Sequence, residues 1–346
     1  NLGAPLWGSL MGALVPENVR GRFFARRTRL SSVASFTALL LAGTTLQLFD
    51  SMDYTLYGFL LIFSIGMLAR TYSCYQLSRL YDPPQVHKSA PREERDGLPG
   101  LAFLRQHPNF LRFSLFFASM QFAVAISGPF MVVYLLRDLH FSYLELTLNT
   151  AASVLMQFLV LNRWGRLGDL FGNRIILRLT GYTIPVIPVL WVLSSDFYYL
   201  LLVQMVSGLV WSGYSLSSSN FLFDLTPGHR RAGMMALHNF FSSVAVFIGA
   251  SAGSALALIL PTSIATSLFS VDIAFSWGSV FYGVFLFSAF TRLTVGLLFL
   301  RHIEEVRLVK PMSYHGLAFR VTRFSPVSGV IFDIIARTRD RDGDGS

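Results

Sequence analysis

Residues 163–174 read Arg-Trp-Gly-Arg-Leu-Gly-Asp-Leu-Phe-Gly-Asn-Arg, and the reading of this polar stretch decides the fold. It lies between two runs without a charged residue, Leu146–Asn162 and Leu179–Ser195. Runs of that length approach the roughly 20 apolar residues that a helix needs to cross a bilayer. The stretch between them therefore reads as a tight loop joining two membrane helices. Gly165, Gly168 and Gly172 allow close helix approach and a sharp reversal. Asp169 is the only acid there, among Arg163, Arg166 and Arg174.

The surroundings repeat this pattern. Of the 346 residues, 53% are hydrophobic and 14% charged, against about a quarter charged in a soluble domain. Long uncharged runs at that composition imply an all-α polytopic membrane protein. A membrane β-barrel is excluded because the runs lack strict alternation. The single cysteine, Cys74, rules out a disulfide framework and a cysteine metal site. The sequence holds no nucleophile elbow, no phosphate loop and no metal-spaced His/Asp/Glu cluster. No catalytic residue, metal or cofactor is therefore expected.

The pattern Gly-x-Leu-Gly-Asp-x-Phe-Gly-x-Arg, built on Gly165, Gly168, Asp169, Gly172 and Arg174, resembles the signature loop of major facilitator superfamily transporters. In that family the loop joins the second and third helices of each six-helix half. The family prefers a basic residue after the Asp, where this chain has Leu170. The resemblance implies a helical bundle of two pseudo-repeated halves that moves a small solute by alternating access.

Taken in order, the chain opens with an apolar run, Leu2–Val15, which reads as the end of a helix. Five arginines follow within residues 20–29, and then a charge-free run of 20 residues, Leu30–Phe49. It lacks the Gly-Pro of the family's antiporter signature, which argues against a drug/proton antiporter. Further helices are expected over Tyr54–Gln76, Phe113–Leu136 with a kink at Gly128-Pro129, Tyr198–Phe223, Gly233–Leu260 and Phe275–Leu300. Prolines and charges mark 79–112 as a linker, and 261–275 reads as a loop. Basic residues gather at 20–29, 79–112, 163–178, 230–231 and 301–341, in alternate loops. The positive-inside rule places those loops and the C-terminus in the cytoplasm. The net charge of +9 thus reports topology, and no nucleic-acid partner is expected.

Residues 16–36 repeat near 227–247 at an offset of 211; Ser31-Ser-Val-Ala34 falls on Ser242-Ser-Val-Ala245. Arg70 and Arg79 fall on Arg292 and Arg301 at an offset of 222. Parallel repeats joined by a polar linker are how this family builds its halves. The expected organisation is 1–78 as the remainder of an N-terminal half, 79–112 as a cytoplasmic linker, 113–300 as a six-helix half and 301–346 as a tail. On that logic roughly three to four helices of a twelve-helix transporter lie upstream of Asn1.

Polar side chains inside membrane helices are costly, so their positions carry information. Asn149, Ser153 and Gln157 share one helix face, as do Gln204, Trp211 and Ser215 with Gly208 on another. Gln121 stands on a third helix with Ala125 and Gly128. The resemblance implies that these helices line a central cavity; the other reading is hydrogen bonding between packed helices. The intramembrane arginines Arg70 and Arg292 are expected to snorkel or to form a structural pair. His238 reads as an interfacial helix cap. The resemblance also implies that Asp169 latches the cytoplasmic side by meeting the start of a helix in the opposite half, here expected near Leu30–Val33.

The sequence thus points to a secondary transporter in the plasma or inner membrane. Its partners are a small-molecule substrate and membrane lipids, with a coupling proton or ion left open. Two rivals are a membrane-embedded enzyme acting on lipid, which needs a polar catalytic cluster, and a transporter-like sensor, which needs an output element in 301–346.

Overall fold

The computed structural model describes residues 17–79, 107–226, 231–260, 263–268, 271–276 and 279–305. The elements are α1 (Glu17–Asp50), α2 (Thr55–Ser78), α3 (Pro108–Val133), α4 (Tyr143–Phe171), α5 (Asn173–Thr183), α6 (Val186–Leu193), α7 (Phe197–Leu225), α8 (Arg231–Ile259), β1 (Ser263–Leu268), β2 (Val271–Ser276) and α9 (Val280–Phe299). Among the described residues, eight helical spans are long and apolar enough to cross a membrane. They match the eight crossings read from the sequence, with α5 and α6 forming one span.

Helix ends follow local chemistry. Ser142 opens α4 with a capping box: its hydroxyl accepts from the Glu145 N–H at 3.2 Å, and Glu145 accepts from the Ser142 N–H at 2.8 Å. Asp196 caps α7 by accepting from the Tyr199 N–H at 2.8 Å. Pro185 lacks an N–H and separates α5 from α6, while Pro188 falls in the first turn of α6, where a missing N–H costs little. Pro129 sits inside α3, which runs on into a π-helical turn over Tyr134–Asp138.

Several boundaries differ from the sequence expectation. The charge-free run Leu30–Phe49 is the second part of α1, which begins at Glu17. The basic residues there do not stop the helix, because backbone bonding is indifferent to their charge. Helix α3 starts at Pro108, so the last residues assigned to the linker are helical; 80–106 lie outside the described residues, as do 1–16 and the tail from 306. Where a loop was expected at 261–275, β1 and β2 pair antiparallel from Ser263↔Ser276 to Leu268↔Val271, and α9 begins at Val280 rather than Phe275.

The bundle core is aromatic. Phe113, Phe116 and Tyr214 are buried between α3 and α7, and Phe285 and Trp191 between α9 and α6. Helices α3 and α8 pack at glycine: a Cβ on Gly249 or Gly253 would overlap the carbonyls of Phe122 or Ile126. By contrast α1 and α2 are largely exposed.

Candidate functional site

The signature stretch is not a loop. Helix α4 continues through Arg163, Gly165, Gly168 and Asp169 to Phe171, and the whole reversal is made at Gly172, with φ 86°. That value suits glycine and strains a residue with a Cβ. Trp164 anchors this end of α4 on α7. It is buried, donates its indole N–H to the Leu209 carbonyl at 2.9 Å, and lies where a Cβ on Gly213 would clash. Gly168 faces the Asn173 side chain, with 3.1 Å left for a Cβ, whereas Gly165 meets Leu216 only at ordinary distance.

Past the reversal, the chain is tied to the ends of α7 and α9. Asn173 donates to the Asp224 carboxylate at 3.4 Å, and the Arg174 backbone N–H donates to Glu305 at 2.8 Å. The Arg178 guanidinium donates to the carbonyls of Leu300 at 2.9 Å and Arg301 at 3.0 Å. It thereby satisfies acceptors that the end of α9 leaves open. Sequence reading missed this cluster because its partners lie from 51 to 131 residues away. Asp169 is exposed on the last turns of α4, with no ion pair to Arg166 or Arg174.

At the other end of α4, the helices of the two expected halves meet. Gly43 of α1 packs so closely on Thr147 that a Cβ would overlap its side chain. The Leu144 N–H donates to Gln47 Oε1 at 3.2 Å. Phe59 of α2 sits edge-on to Tyr143 at 6.0 Å. Toward the signature end, α1, α4 and α7 surround a cavity of about 800 Å³. Helix α1 contributes Ser31, Ser32 and Ser35 with Val33 and Phe36. Helix α4 contributes Gln157, flanked by Val154, Leu155, Phe158 and Leu161. Helix α7 contributes Ser212, Ser215, Leu216 and Ser219.

The polar stripes read from the sequence divide here. Gln157 and Ser215 line the cavity. Ser153 lies in the α4–α7 seam: a Cβ on Gly208 would overlap its carbonyl, and its hydroxyl accepts from Gln157 at 3.4 Å. Asn149 is fully buried with neither amide atom hydrogen-bonded. Gln121, Gln204 and Trp211 are half-buried and do not line the cavity; Trp211 packs edge-on to Tyr214 at 5.6 Å. The serines of α1, which were not singled out, complete the wall; their four-residue spacing, Ser31 to Ser35, was the available signal.

The intramembrane arginines part company. Arg70 is exposed on α2. Arg292 does not snorkel: it is 2% exposed and donates to Ser127 Oγ at 2.8 Å, with Ser288 bonded to the same hydroxyl at 3.0 Å. His238 is not an interfacial cap. It is buried against Phe113 and Phe117, with Nδ1 3.1 Å from Ser114 Oγ.

The Major Facilitator Superfamily model matches residues 113–328, from the second turn of α3 to beyond α9. No curated protein matches the chain in sequence. The matched span holds the glycine-bearing signature stretch, its single-residue reversal at Gly172 and six membrane-length spans; on these grounds the chain belongs to the major facilitator superfamily of membrane transporters.

Proposed function

We propose that the chain moves a small solute across the membrane by alternating access, with the α1–α4–α7 cavity as its passage. The observation that carries this reading is the shape of that site. One cavity is walled by a helix that precedes residues 80–106 and by two that follow them, and the described contacts of α1 with α4 lie to one side of it, at Gly43 on Thr147 and Gln47 on Leu144. Alternating access needs two bodies that rock about a shared site, one side shut while the other is reachable. Residues 1–78 and 113–300 are the two bodies in this reading, 79–112 their linker and 301–346 a tail. The positive-inside rule puts the signature end and the tail on the cytoplasmic side of the plasma or inner membrane. Cysteines at 85–95 are then shielded from an impermeant thiol reagent added outside cells, and cysteines at 265–270 react. Family membership favours this reading over the enzyme and the sensor, because members of the superfamily are typically transporters.

The test is uptake of a solute set into vesicles holding the full-length protein, once a transported solute has been found. Gln157→Ala and Ser215→Trp are expected to lower its uptake at least tenfold with membrane insertion unchanged. Undiminished uptake in both variants would remove the cavity from the pathway.

A further inference from the structure

We propose that the solute held in the α1–α4–α7 cavity is an uncharged molecule carrying hydroxyl or carbonyl groups on an apolar body, an inference that rests on the transport reading above. The described walls carry seven neutral polar side chains, seven apolar ones and no ionisable group. An ion entering such a space loses water and finds no opposite charge in its place. Arg292, a buried cation of the six-helix span, is held in the α3–α9 seam by Ser127 and does not line the cavity.

Six of the seven polar groups are serine hydroxyls, and the seventh is the Gln157 amide. Ser212 and Ser219 donate to the carbonyls of Leu209 at 2.8 Å and Ser215 at 3.0 Å, which leaves their oxygens free to accept. Among the described residues, the hydroxyls of Ser215 and the α1 serines have no hydrogen-bond partner, so they can donate or accept. Serines recur at helical spacing on both α1 and α7, so each helix presents a column of hydroxyls, with Phe36, Phe158 and Leu161 between the columns. That combination suits hydroxyl and carbonyl groups on an apolar frame.

The same chemistry continues toward the closed end. Asn149 lies two turns along α4 from Gln157 on the same face, fully buried with its amide oxygen and nitrogen both unpartnered. A buried polar group without a partner is costly. An amide presents a donor and an acceptor without charge, so Asn149 extends the uncharged hydrogen-bonding character of α4 beyond Gln157.

The experiment uses the full chain in lipid nanodiscs and three probes on one scaffold: 4-(1-pyrenyl)butanol, 4-(1-pyrenyl)butyrate and 4-(1-pyrenyl)butylammonium. Binding is the fluorescence change that remains after subtracting empty nanodiscs. The alcohol is expected to bind at least tenfold more tightly than either ion, and Ser215→Trp, which puts an indole into the cavity, to weaken the alcohol at least tenfold. Gln157→Glu gives a second reading if Ser215→Trp does not fold: its ammonium-to-alcohol affinity ratio should rise several-fold. Equal or tighter binding of either ion by the unaltered chain overturns the proposal, as does a Gln157→Glu ratio that stays fixed. A pyrene-free diacylglycerol placed in the disc separates two sources of this chemistry: displacement of the alcohol assigns it to a lipid, and no displacement to a water-borne solute. Uptake plays no part in these readouts. Selective binding without uptake in vesicles would sink the transport reading alone, and uptake with ion-selective binding would sink this one alone.

Discussion

Gln47 of α1 caps the first turn of α4: its Oε1 accepts the backbone N–H of Leu144 at 3.2 Å. The first N–H groups of a helix have no partner within it. Ser142 satisfies one of them from inside α4, and Gln47 satisfies another from a helix almost a hundred residues earlier. One turn away along both helices, Gly43 and Thr147 bring the backbones together. Losing such a cap costs about 1 kcal/mol, which is roughly a fivefold shift in a two-state equilibrium. Gln47→Leu is therefore expected to loosen this end, and Gly43→Leu to force it apart. Spin labels on the exposed positions Leu48 and Leu148 report the separation. An unchanged distance distribution in Gly43→Leu would mean that this contact does not hold the helices together.

Arg292 gives a stability prediction of opposite signs. Among the described residues its buried guanidinium has one hydroxyl partner, Ser127, and its Nε has none. Removing one partner of a buried charge leaves that charge uncompensated, while replacing the charge with an apolar side chain of similar volume is often neutral or stabilising. Ser127→Ala is expected to cost about 1–3 kcal/mol. Arg292→Met should cost less or raise the unfolding temperature of the purified protein. The reverse order in thermal unfolding would show that Arg292 is better satisfied than by Ser127 alone.

His238 ties α8 to α3 through its ring and one hydrogen bond. The ring lies nearly parallel to Phe113, with centroids 5.9 Å apart, and against Phe117 at 4.8 Å. Aromatic pairs add about 0.5–1.5 kcal/mol each, and the Ser114 bond about 1 kcal/mol. His238→Ala is expected to destabilise by roughly 2–4 kcal/mol on those terms. His238→Phe keeps the rings and loses only the bond, so it should cost clearly less. Equal losses in the two variants would assign the effect to the hydrogen bond.

What the sequence made legible follows from the physics of each feature. Membrane spans were legible because a charge-free run of the right length has few alternatives in a bilayer. Gly172 was legible as the place of a sharp reversal because its φ of 86° suits a residue without a Cβ. The length of α4 was not: arginines and glycines at 163–171 look like a loop, yet a helix there meets its own backbone bonds and hands the reversal to Gly172 alone. The face shared by Asn149, Ser153 and Gln157 was legible from its four-residue period, but not what it faces. Ser153 meets the backbone at Gly208, and only Gln157 reaches the cavity. The ties of Arg174 to Glu305 and of Arg178 to the end of α9 leave no local trace, since neither partner is near in sequence.

Asp169 remains the residue through which the signature stretch would act, and the structure moves its expected partner. A carboxylate is favoured at a helix start by unpaired N–H groups and positive partial charge. The sequence expectation placed that start near Leu30–Val33, but α1 begins at Glu17, so the N–H groups of its first turn lie there. Helices α1 and α4 run antiparallel, with Gly43 level with Thr147. Twenty-two residues on from Thr147 is Asp169, and twenty-two back from Gly43 is Gly21. Along the axis Asp169 is thus level with the first turns of α1, about 13 Å beyond the level of Leu30 at ~1.5 Å per residue. The cavity between Ser31 and Leu161 keeps the two helices apart on the way there. When that side closes, Asp169 is expected to reach residues 17–21. The contact is worth about 0.3–2 kcal/mol, depending on burial. Asp169→Asn should then bias the carrier toward the state open at the signature end. Paired cysteines decide the register: one at 169 should cross-link with one at 18–21 under conditions that close this end, and not with one at 30–33. Cross-linking at 30–33 in preference to 18–21 would restore the original placement and refute the shifted one.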